Sequence, residues 1–358
     1  MRLIDVLLLL VGGTFVVWLL MTLMVVSSKA GRDRRERVSK ERRGRYRDAL
    51  EAASSAQLEP ILRELFRNEG AQVDMLAALD AVPRSGRTIQ ALREADRIQQ
   101  LSEALEYQSC GEEPVPRGIS ALLLARMGLN RCTQVAEGLL RDEDPDVRLA
   151  ACSALAKIGT NAAARSLIQS LRDGTMPAER LIERLGAPWA NDEVLLALGE
   201  SDDPHLRTAL VRALGLAPDR RALDMLVNLS AHGEDEERIS AVRTLGSTGP
   251  ADKVVPVLCS ALTDENPAVR AQAARAIGAL SDPSSPTWLE RSVVAAERLR
   301  GCLGDENWWV RANAATALRS LGMAGKQQLI DALDDPDEFS RDRARESLAL
   351  LNARATAG

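Results

Sequence analysis

The chain has 358 residues, 46% of them hydrophobic but only 3% aromatic, with a formal net charge of −5 at pH 7. That length exceeds one compact domain, so the sequence holds two domains or one extended one. Two histidines, His205 and His232, leave little for acid–base or metal chemistry, and no cofactor is expected. Five scattered cysteines (Cys110, Cys132, Cys152, Cys259, Cys302) lack the paired spacing of a zinc site and point to a reducing compartment.

Ala and Leu dominate the apolar set beside abundant Arg and Glu, a composition that favours helix because these side chains lose little rotamer freedom there. No alternating β-branched run argues for a sheet, so the expected class is all-α.

Residues 1–28 read as a transmembrane anchor, since Val6–Val26 is mostly apolar and free of charge. A cleaved signal peptide, giving a secreted solenoid, is the rival reading; the apolar run is long for one. Residues 29–47 carry ten Lys/Arg against three acids. Arg32, Arg34, Arg35, Arg37, Lys40, Arg42 and Arg43 are candidates for the membrane surface. By the positive-inside rule the expected placement is a single-pass inner-membrane protein, amino terminus outside and the remainder cytoplasmic. Beyond residue 50 the chain has 35 basic and 46 acidic side chains, which disfavours nucleic acid as a partner.

Residues 48–110 have helical stripes and are expected to form a cap or linker. From 111 to 352 one unit recurs. Arg117, Arg148, Arg180, Arg207, Arg238, Arg270, Arg311 and Arg341 fall in register at intervals of 31, 32, 27, 31, 32, 41 and 30 residues. A small or apolar residue follows three positions after most of these arginines and Leu or Ile seven after, which is one helical stripe. The Arg180 unit fits poorly. Asp144-Pro145, Asp203-Pro204, Asn266-Pro267 and Asp335-Pro336 read as a helix cap followed by a first-turn proline. Gly128, Gly159, Gly249 and Gly322 read as left-handed C-caps. Each unit is thus a helical hairpin with too little apolar surface to stand alone, and stacking gives an α-solenoid. Residues 353–358 read as a flexible tail.

The line D-x-x-P-x-V-R-x-x-A-x-x-A-L-x-x-[IL]-G, best kept at 142–159, 264–281 and 305–322, resembles the HEAT-repeat superfamily, in particular the short HEAT-like repeats of phycobilin lyases. The resemblance implies a fold and no particular activity. It also implies a ladder of Asp and Arg tying one repeat to the next, here Asp142, Asp264 and Asp305 with Arg148, Arg270 and Arg311. HEAT-like iron hydroxylases carry His-Glu pairs, and neither His205 nor His232 is followed by Glu.

No P-loop, dinucleotide fingerprint or nucleophile elbow is present, and no catalytic residue is expected. The 41-residue interval holds roughly ten extra residues including Trp288, and Trp308-Trp309 replace the usual Pro-x after it. Two readings stand for these rings: contact with a partner, for which Trp is well suited, or filling of the gap beside the insertion. The expected function is a membrane-held scaffold binding another protein with basic patches. A membrane-associated enzyme such as a glycosyltransferase is named as partner from context, without a residue to support it. The alternative is an enzyme or activator of the lyase type, working through a groove.

Overall fold

The computed structural model describes residues 32–66, 69–83, 85–129, 131–248, 251–280 and 286–357. The segment expected to anchor the chain, residues 1–28, lies outside them. Among the described residues no helix is long and apolar enough to cross a membrane. The single-pass inner-membrane placement is therefore corrected: the described helices bury one apolar stripe against neighbouring helices and turn charge to the other side.

No strand occurs among the described residues, and the chain divides into two compact units between Ile158 and Gly159. The first begins with helix α1, residues 32–52, followed by α2 (Ser55–Leu65), α3 (Glu69–Ala81), α4 (Gly86–Gln99) and α5 (Leu101–Ser109). Tyr46 and Leu50 of α1 are fully buried, so this helix is part of the first unit's core. Arg42 and Arg43 are both paired with Asp74 of α3, at 3.1 and 3.0 Å. Arg42 is buried, which corrects its assignment to the membrane surface; Arg32, Arg34, Arg35, Arg37 and Lys40 are exposed.

The first repeats follow as α6 (Pro114–Met127), α7 (Cys132–Leu139) and α8 (Pro145–Ile158). In the second unit come α9 (Asn161–Asp173), α10 (Ala178–Leu185), α11 (Asn191–Glu200), α12 (Pro204–Leu214), α13 (Arg220–His232), α14 (Asp235–Thr248) and α15 (Ala251–Ala261). It closes with α16 (Pro267–Ala279), α17 (Pro286–Gly301), α18 (Trp308–Ser320), α19 (Gly322–Asp331) and α20 (Glu338–Ala357). The first helices of successive repeats pack in one layer, α12 on α14 on α16 on α18 on α20, and α15, α17 and α19 form a second.

The stripe read from the sequence is this core: Ala241 and Leu245, Ala273 and Ile277, Ala314 and Leu318 are all fully buried. Close approach within the first layer rests on a column eight positions after the arginine. Gly246 and Gly278 leave no room for a Cβ, which would stand 2.4 Å from Ala276 Cβ and 2.9 Å from Ala317 Cα. Here glycine serves packing and not backbone freedom.

Capping follows the expected chemistry. The Oδ1 atoms of Asp144, Asp203, Asn266 and Asn307 each accept the amide two residues on, at 2.8 to 3.0 Å. Gly128, Gly159 and Gly322 have φ of 66°, 65° and 61°, and Gly249 lies outside the described residues. Two expectations shift. The last first-layer helix starts at Glu338 and is capped by Asp337, whose Oδ1 accepts the Ser340 amide at 2.8 Å. Its backbone stays helical to Ala357, into the stretch expected as a tail, because that stretch is rich in good helix formers.

Candidate functional site

Every repeat arginine except Arg180 stands near the start of its helix with its Nη1 reaching back to its own turn. Arg148, Arg270 and Arg311 donate to the carbonyls of Asp142, Asp264 and Asp305, at 2.8, 2.9 and 2.6 Å. This is the six-residue spacing seen in the sequence. The carboxylates of those aspartates belong to a different arginine, the one before. Arg117 grips Asp142 with Nε and Nη2 at 2.9 and 2.8 Å; Arg238 grips Asp264 at 3.0 and 3.1 Å; Arg270 grips Asp305 at 2.8 and 2.9 Å. Arg207 makes the corresponding contact with Glu237.

These two-pronged pairs match the flat edge of a guanidinium to a carboxylate. The Arg117 hydrogen bond holds the Asp142 carboxyl below its ordinary range. Burial pushes Asp305 upward, but Arg270 and the Asn307 amide outweigh it and leave this carboxyl low as well. Arg148 and Arg311 grip no carboxylate among the described residues, and the Nε of each is buried without a hydrogen-bond partner. Arg180 is exposed and among the described residues pairs only with Glu183 on its own helix, at 3.8 Å, so the irregular unit has left the ladder.

Trp308 and Trp309 open α18, and they remain 48% and 66% exposed. Their rings meet edge to face, centroids 4.7 Å apart at 80°. The Arg343 guanidinium lies 5.7 Å from the Trp308 ring centre, and Arg311 lies 4.4 Å from the ring centre of Phe339. Phe339 is itself 55% exposed. It was missed in the sequence, although one signal was available: it precedes its repeat arginine by two positions, as Trp309 does. Trp288 falls on α17, and its side chain lies outside the described residues. Trp189 packs beside Gly159, whose Cβ would stand 3.6 Å from the indole.

A second feature invisible in the sequence is a cleft of about 850 Å³ lined by His205, His232, Asp202, Glu234, Asp235 and Glu237 among others. It brings together the chain's two histidines, 27 residues apart in sequence. Among the described residues no group of three or more His, Cys, Asp or Glu is placed to hold a metal.

Stacked helical hairpins joined by inter-repeat arginine–aspartate pairs define a HEAT-repeat chain. The model of the HEAT repeats family matches residues 98–183, 228–297 and 291–349, more than half of the sequence, and the chain belongs to that family. A HEAT repeat-containing taxis protein of Halobacterium salinarum is 27% identical over 213 residues, 58% of this chain. The aligned region spans 39% of that relative's length. Among solved structures, human deoxyhypusine hydroxylase in complex with glycerol is 19% identical, covering 73% of this chain and 99% of its own, with a TM-score of 0.30. Kap121p bound to Ste12p is 13% identical, covering 86% of this chain and 45% of its own, with a TM-score of 0.36.

Proposed function

We propose that the chain is a protein-binding scaffold whose contact surface is centred on Trp308 and Trp309. The observation that carries this reading is the exposure of two adjacent indoles, 48% and 66%, at the position where sister repeats have Pro-x. Large rigid rings left in water at the start of a well-packed helix are costly unless a partner covers them, and Trp supplies contact area at low entropic cost. Phe339 and the Arg311 and Arg343 guanidiniums extend the patch across two repeats.

The test is affinity capture with the full chain beside a Trp308→Ala/Trp309→Ala double variant. The expected result is a partner retained by the parent chain and lost from the variant, with the two proteins melting alike. Equal retention by both would sink the reading. A second reading, a small ligand or a reaction in a groove, would use the cleft that holds His205 and His232. Replacing both histidines by Gln separates the two, since it leaves a Trp-centred contact intact.

A further inference from the structure

In three repeats the Nε–Nη2 edge of the arginine is filled by a carboxylate of the following repeat. Arg311 keeps every other part of that arrangement. It is only 9% exposed, and its Nη1 is held by the Asp305 and Glu306 carbonyls at 2.6 and 3.0 Å. Yet its Nε has no hydrogen-bond partner among the described residues. Neither of the two acids that open the next repeat fills that edge. Asp335 accepts the Asp337 amide at 2.9 Å, as its sister aspartates do, but is not paired with Arg311 among the described residues, and Asp337 accepts the Ser340 amide at 2.8 Å. In place of a carboxylate, that repeat presents the ring of Phe339 against the guanidinium.

A buried guanidinium N–H without an acceptor carries a desolvation penalty that a ring face only partly offsets. Its strongest complement is a carboxylate meeting the flat edge. The Phe339 ring lies against it, and Trp308 and Trp309 open the helix that carries Arg311. An acidic group reaching Arg311 therefore arrives beside exposed aromatic side chains of two successive repeats.

We infer that Arg311 is the recognition element of the patch. It takes the side-chain carboxylate of an Asp or Glu in an extended partner segment, while Trp308, Trp309 and Phe339 cover apolar residues flanking that acid. The partner's carboxylate completes the rung that the next repeat leaves open, and the exposed Phe339 ring moves aside to admit it. The inference rests on the reading of Trp308 and Trp309 as a contact surface. It also makes this patch a local exception on a body whose net charge favours basic partners.

The experiment pans the full chain against a displayed library of random dodecapeptides, then measures synthetic versions of the enriched sequences by fluorescence anisotropy. Enriched peptides are expected to carry an internal Asp or Glu beside Leu, Phe or Trp. Replacing that acid by its amide should weaken binding about thirtyfold, the scale of a charge-assisted hydrogen bond. The peptide-side change carries the decision because Arg311→Gln also removes the bonds to the chain's own turn. Phe339→Ala, at an exposed position, should alter affinity without unfolding the protein. Peptides that bind equally well as acid and amide, but lose binding with Trp308→Ala/Trp309→Ala, overturn the carboxylate inference and leave the contact surface standing. Peptides indifferent to the Trp substitutions overturn both. Preference for a free carboxy terminus, abolished by peptide amidation, overturns the side-chain assignment. No enrichment overturns the inference alone, since affinity capture decides the surface separately.

Discussion

Arg270 and Asp305 are 35 residues apart in sequence and meet through two hydrogen bonds of 2.8 and 2.9 Å. The pair is mostly buried and crosses the longest interval in the repeat array. Removing its acid by Asp305→Ala leaves a desolvated guanidinium edge without an acceptor, which should cost about 3 kcal/mol. Glu306, 3.7 Å from the same arginine but 89% exposed, gives the contrast, and Glu306→Ala should change stability by less than about 0.5 kcal/mol. Urea denaturation of the two variants compares them directly, and equal shifts would remove the ladder's claim on stability.

The glycine column makes an opposite pair of forecasts. Gly246→Ala places a methyl 2.4 Å from Ala276 Cβ and 3.0 Å from its Cα, so two first-layer helices must part, at about 2 kcal/mol. Gly199 sits in α11 with nothing within 4 Å of an added Cβ, and Gly199→Ala should stabilise by about 0.5–1 kcal/mol. Thermal melts with opposite signs are the expected outcome.

Acid should weaken the fold in a defined window. Asp142 is held low chiefly by Arg117, and Asp219 by the Ala222 amide that it caps. A carboxyl whose folded value lies below its unfolded value contributes stability that is full above the unfolded value, near pH 4, and lost as pH falls through the folded one. Denaturation midpoints should therefore hold from neutral down to about pH 4 and drop on further acidification. Asp142→Asn should flatten that acid limb while lowering the plateau. A wild-type slope retained in full by the variant would assign the acid loss to other groups.

Thiol chemistry should separate the cysteines. Burial pushes the Cys302 thiol up to about 11, so at pH 8 roughly one molecule in a thousand carries the reactive thiolate. Cys110 is exposed. In an Ellman titration the native protein should modify Cys110 promptly and Cys302 only after denaturant is added. Comparable rates in the folded chain would contradict the burial of Cys302.

What could be read in advance was what chain-local spacing encodes. The arginine register, the apolar stripe at three and seven positions, and the Asp/Asn caps all depend on residues within two helical turns of one another. The ladder was half legible: six residues separate Asp264 from the Arg270 that holds its carbonyl, but its carboxylate partner, Arg238, lies 26 residues back. Residues brought together only through stacking carry no fixed offset, which hid Phe339 beside Arg311 and the cleft that His205 and His232 both line. Arg42 failed for the same reason. A basic run beside an apolar segment looks like a membrane flank until Asp74 is brought to it by the packing of α3.

The bridge from Arg270 to Asp305 also has an engineering consequence. Both ends of the interval between α16 and α18 are fastened by that clasp, so the connection between them can lengthen without changing how the repeats stack. Closing a longer connection costs only about 0.6 kcal/mol per doubling of its length. Lengthening the chain between α16 and α17 should accordingly leave the Arg270–Asp305 clasp closed and α16 stacked on α18 as before.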